Sequence, residues 1–166
     1  VKSTTLLLAL LLASPAMSDV LVEFDEGAPK DRFTVSNSGD CPLGPMRVVI
    51  DISTAPAGLI FDVTGAGAGV EVFQPFELVS GKELLTSEPS VSDGQTSVAL
   101  DLSGLPTGQA VAFTIDVDDT TSDRQITVSG SEMSGAQVRI EAGNAAHSGV
   151  FDARALATVP LSECTS

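Results

Sequence analysis

The sequence predicts an all-β fold, an antiparallel β-sandwich of the immunoglobulin-like sort with about nine to ten strands, and three observations lead there. Apolar and polar residues alternate with a period of two through most of the chain, as half-buried strands require. Turn-forming pairs such as Asp93-Gly94 and Gly143-Asn144 separate the alternating runs. No stretch carries the helical spacing that a crossover between parallel strands needs. A closed β-barrel is the alternative arrangement of the same strands.

Taken in chain order, the first residues read as an address rather than as structure. Val1-Lys2-Ser3-Thr4-Thr5 precedes an apolar run over 6–13, followed by Pro15, Ala16 and Ser18 and then the acidic Asp19. Lysine, a short leucine-rich run and small residues in that order form a secretory signal peptide, with cleavage expected after Ser18. The run is too short to span a bilayer, which takes ~20 apolar residues. Residues 1–18 are therefore assigned to the leader and 19–166 to one sandwich domain, soluble in the periplasm or outside the cell, with no membrane anchor. Strands are expected at 20–24, 32–36, 47–52, 59–63, 98–102, 111–117, 125–129, 137–141 and 151–159. The run at 111–117 is the clearest, with Val111, Phe113, Ile115 and Val117 facing the core and Ala112, Thr114, Asp116 and Asp118 facing water. The stretches 40–45 and 77–91 are expected to be long loops.

Composition narrows the function classes. With 22 Asp plus Glu against 8 Lys plus Arg, the net charge of −14 excludes a nucleic-acid binder that works through a basic patch. The chain lacks Trp and Tyr, on whose faces sugar-binding sandwiches stack pyranose rings, and its 7 Phe fall mostly at core-facing positions. Two cysteines, Cys41 and Cys164, are expected to pair in an oxidising compartment, tying an early loop to the C-terminal tail. An intermolecular bridge is the other possibility.

The acids are clustered. Asp116, Asp118, Asp119 and Asp123 crowd one strand end and its turn, while Glu23, Asp25, Glu26 and Asp31 crowd the first turn. Adjacent carboxylates repel, and a hard cation with oxygen ligands removes that cost. Asp116, Asp118, Asp119, Asp123, Asp25, Glu26 and Asp31 are accordingly candidate Ca²⁺ ligands, with a solvated acidic surface as the plain alternative. The pattern is not an EF-hand, because Thr121 and Thr127 stand where the turn Gly and the bidentate Glu belong. Gly65, Gly67 and Gly69 precede strand-like residues rather than a helix, so they read as a hairpin loop and not as a dinucleotide site. His147 is the single histidine and reads as an exposed loop residue. Phe73 and Phe76 flank Gln74-Pro75 in a corner that packs on the core or, alternatively, forms a contact patch.

The segments Ala28-Pro29-Lys30-Asp31-Arg32-Phe33, Leu59-Ile60-Phe61-Asp62-Val63, Val72-Phe73-Gln74-Pro75-Phe76 and Phe113-Thr114-Ile115-Asp116-Val117-Asp118-Asp119-Thr120 resemble bacterial exported proteins of the aggregation factor core type. That resemblance implies an extracellular, Ca²⁺-dependent adhesion role and carries over no ligand residues. The expectation from the sequence is a non-catalytic interaction or adhesion module whose partner is a protein or surface polymer, bridged by divalent cations. A periplasmic hydrolase, or an inhibitor of one, is the alternative.

Overall fold

A computed structural model describes residues 18–65, 73–121 and 127–161. Eleven strands lie among the described residues: β1 (Ser18–Asp25), β2 (Asp31–Asn37), β3 (Met46–Asp51), β4 (Leu59–Phe61), β5 (Glu77–Ser80), β6 (Ser97–Leu102), β7 (Ala110–Ile115), β8 (Val117–Asp119), β9 (Gln137–Ala142), β10 (Ala145–Val150) and β11 (Leu156–Leu161). One short 3-10 helix, Lys82–Leu84, follows β5. The strands form an antiparallel sheet in the order β11-β1-β2-β7-β5, a second in the order β10-β9-β3-β6, and a two-stranded ribbon β4-β8. The two larger sheets pack face to face as a sandwich, not a closed barrel, around one apolar core. Eleven strands exceed the nine to ten expected, because β5 and β10 carry no strand pattern and the run expected at 111–117 divides into β7 and β8.

The period-two reading holds where both faces are distinct. On β2 the residues Asp31, Phe33, Val35 and Asn37 are buried, while Arg32 is exposed and Thr34 and Ser36 are half-buried. Register places Phe24 opposite Phe33 and Phe33 opposite Phe113, so three phenylalanines line up across β1, β2 and β7. Phe33 stacks on Phe113 at 5.2 Å and lies 5.0 Å from Phe24, and Phe61 closes on it edge-first at 6.4 Å. Each buried phenylalanine contributes about 1.5–3 kcal/mol of burial, and each ring pair roughly 0.5–1.5 kcal/mol more. From the facing sheet come Val48, Ile50, Leu100, Val138 and Ile140, all fully buried.

Three expectations fail for local reasons. The strand expected at 151–159 begins only at Leu156, because Asp152 accepts hydrogen bonds from the Arg154 and Leu156 N–H groups and holds a turn. Ala155 inside that turn takes a left-handed φ of 58°. The expected loop at 77–91 contains β5, a short edge strand, and the strand expected at 125–129 is not formed over its described part, 127–129. β10 has no alternating apolar face to announce it; the hairpin turn does so instead. Gly143 has φ 57° at the first central position of a two-residue turn joining Ala142 to Ala145, a place that favours glycine. β10 then lies close against β11, since a Cβ at Gly149 would stand 2.4 Å from the Thr158 carbonyl oxygen. That seam closes one side of the sandwich, and the opposite side is bounded by β5.

Candidate functional site

At one end of the sandwich the ribbon β4-β8 folds over the ends of β2 and β7, and it carries acids inward with it. Four aspartates are buried there: Asp31, Asp62, Asp116 and Asp118. Asp31 opens β2 on the same face as Phe33. Its Oδ1 accepts from Gly27 N at 3.0 Å and its Oδ2 from Val117 N at 3.0 Å, which clasps β8 to β2. The backbone brings Asp62 and Asp116 together: Asp62 N donates to the Asp116 carbonyl at 3.1 Å, and Gln74 bridges both chains through its own N–H and carbonyl.

The electrostatics follow from burial without a matching cation. Burial pushes the Asp31 carboxyl up to about 7, against the pull of the Gly27 and Val117 N–H groups and with help from the charges of Asp118 and Glu26. Asp116 is likewise pushed up to about 7, first by burial and then by the charges of Asp118, Asp31 and Asp62. Asp62 also stands at about 7, raised by burial and then by Asp93 and Asp118 beside it, to which its protonated form donates and whose charges repel its ionised form. Asp62 is only 1% exposed, and neither of its carboxylate oxygens receives a hydrogen bond. Asp93 contrasts with it: its Oδ1 accepts from the Val63 and Thr64 N–H groups, which hold that carboxyl below the usual range.

The residues expected as Ca²⁺ ligands therefore separate into different roles. Asp116 and Asp118 were expected on a solvated face and are buried instead, because β8 leaves the strand line of β7 to pair with β4, in a register that sets Asp118 opposite Ile60. Asp31 was expected in an acidic turn and serves as a buried clasp. Asp25 and Glu26 are exposed, and Glu26 accepts from Gly130 N at 2.9 Å. Asp119 accepts from Thr121 N at 3.2 Å. Asp123 lies outside the described residues. Asp62 and Asp93 were not singled out; an aspartate inside the apolar run 59–63 was the available signal. Among the described residues no group of three or more His, Cys, Asp or Glu is arranged to hold a metal ion.

The remaining candidates divide similarly. Phe76 stacks on Phe113 at 4.8 Å and belongs to the core margin, whereas Phe73 is 40% exposed. His147 lies on β10 opposite Ile140, half-buried, and not in a loop. Cys41 is not a free thiol, and Cys164, its expected partner, lies outside the described residues. Gly67 and Gly69 lie outside them too. No helix among the described residues is long and apolar enough to cross a membrane. Two surface grooves, one beside β5 and one on the outer face of β3 and β6, are lined by none of the four buried aspartates. No protein-family model and no curated protein sequence matches this chain.

Proposed function

We propose that this chain is an exported, non-catalytic interaction or adhesion module whose acidic end takes up a divalent cation, Ca²⁺ foremost, at Asp62 together with Asp118. The observation that carries the reading is Asp62: a carboxylate almost wholly withdrawn from water, with no donor on either oxygen and two further carboxylates beside it. Leaving such a group without a counter-charge is costly. Hard cations bind through six to eight oxygens, which carboxylates, backbone carbonyls and water supply together. Asp93 is held by the Val63 and Thr64 N–H groups, and no three acids are arranged around a metal position among the described residues, so the cation needs oxygens from outside the pair, and affinity falls in the extracellular range of about 0.1–1 mM. The separation of the buried acids from both grooves favours binding over hydrolysis, which requires reacting carboxylates beside a substrate cleft. The signal-peptide pattern and the resemblance to exported aggregation-factor-core proteins support an extracellular or periplasmic setting, with Cys41 bridged to Cys164 and a protein or surface polymer as partner.

Calorimetric titration and thermal melting with CaCl₂ test this. Ca²⁺ at about 5 mM, a saturating level for such a site, is expected to release heat and raise the melting temperature of the natural chain, and to do neither in Asp62→Asn. Absence of heat and of any shift in the natural chain overturns the cation site; an equal shift in both proteins overturns its assignment to Asp62.

A further inference from the structure

We propose that the groove beside β5 receives an extended, lysine- or arginine-bearing peptide segment of a partner protein, which adds as a strand to the outer edge of β5. This surface is separate from the acidic end and independent of the cation reading. β5 is the last strand of its sheet, with β7 on one side and no strand on the other among the described residues. Such an edge presents backbone N–H and C=O groups in the spacing that another strand pairs with. Beyond β5 the chain turns through Gly81 and the 3-10 helix and crosses to the second sheet. There Leu85 bridges to Leu102 and Thr86 N donates to the Asp101 carbonyl at 2.8 Å. The last residues of β6 are thus paired by this chain's own segment, while the edge of β5 has no strand beside it among the described residues.

Between the two runs lies a groove of about 950 Å³. Its floor is apolar, formed by Phe76, Leu78 and Leu85, which pack against the core, and Val79 on β5 is 48% exposed. Backbone edge, apolar floor and a flanking wall are what strand addition uses: main-chain bonds for affinity and pockets for alternate side chains. Four residues of β5 at roughly 3.4 Å each match a partner strand of about four to six residues.

Charge selects the occupant. Glu77, Glu83 and Glu88 line the groove against Lys82, and Lys30 reaches Glu77 alone, so Glu83 and Glu88 are left to face an incoming strand. The net charge of −14 adds a long-range attraction for cations. A second copy seated in the groove would bring its own Glu83 and Glu88 toward these acids, which disfavours it. A β-bulge between Leu78 and Ser80 interrupts the edge, a device that discourages indiscriminate pairing and leaves the choice to side-chain charge.

The test uses the full chain and three labelled synthetic peptides about eight residues long. One alternates lysine with valine, one alternates glutamate with valine, and the third is the lysine peptide with alternate backbone nitrogens methylated. The lysine peptide is expected to bind, slow amide exchange at 78–80, and weaken at least tenfold in the double variant Glu83→Lys/Glu88→Lys. Both glutamates are exposed, so the variant's melting temperature should stay unchanged, separating lost binding from lost folding. Failure of the lysine peptide to bind overturns the proposal. So does equal binding of the glutamate or methylated peptide, or protection of 78–80 by dimerisation of the chain alone.

Discussion

The inward face of β2 ends in a buried polar residue at each end, and the two ends are built on different terms. Asn37 closes one end with every strong group matched: its Nδ2 donates to the Cys41 carbonyl at 2.8 Å and the Leu105 carbonyl at 2.9 Å, and its Oδ1 accepts from Gly39 N at 2.9 Å. Asp31 closes the other end and is also hydrogen-bonded at both oxygens, yet it sits among Asp118, Glu26 and Asp116. A neutral amide has nothing further to satisfy. A carboxylate keeps its charge after its hydrogen bonds are made, so its state depends on protons or cations from outside. One end of the sandwich is therefore closed by its own sequence, and the other waits on solution conditions.

Four measurements break or sharpen this contrast. Phe33→Ala removes the stack that both ends share and should cost about 3–5 kcal/mol in urea unfolding. The next effect is confined to the acidic end. Asp31 rises from an ordinary 3.8 to about 7 on folding, so the folded state holds the proton more tightly. Its contribution is full below about pH 4, where the unfolded carboxyl is also protonated, and is lost as pH rises through 7. At ~1.4 kcal/mol per unit this amounts to at most about 4 kcal/mol. Unfolding free energy measured in EDTA should decline from pH 4 to pH 7.5, and Asp31→Asn should flatten the decline. Stability that rises over that interval would contradict the assignment.

Asn37→Ala takes a donor from the Cys41 carbonyl and an acceptor from Gly39 N–H, while the Leu105 carbonyl keeps its bond from Leu43 N–H, and should cost about 2–4 kcal/mol with little change between pH 4 and pH 7.5. Asp62→Asn should act in the opposite direction, because it removes a charge without removing any accepted hydrogen bond. At pH 7.5 without Ca²⁺ it is expected to stabilise by about 1–3 kcal/mol, read as a higher denaturation midpoint. A loss of stability in that variant would mean that Asp62 is needed as a charge by the fold itself.

Much of this architecture could be read from local pattern. β2, β3, β6 and β9 announce themselves because one face is core and the other is not, β7 does so although Ala112 on its other face is also buried, and Gly94, Gly108, Gly135 and Gly143 stand at reversals with positive φ. β5 and β10 have no such face, being held by a neighbouring strand and by a hairpin turn respectively. The acids of the candidate site were half legible. That Asp116 and Asp118 stand near each other follows from their spacing; that they are buried does not, since the cover comes from β4, which pairs Leu59 with Asp119 across a long stretch of chain. Asp62 joins them through that same pairing, and nothing within a few residues of it says so.

By itself the sequence determined the all-β class, the strongest strands, most of the reversals and the excess of negative charge, because alternation, glycine turns and composition act over neighbouring residues. Tertiary structure alone decided which carboxylates lose their water, which sheet edge stays open and which is covered. Those outcomes depend on which distant segment arrives to cover a group, and burial, unlike periodicity, is a property of the assembled pair.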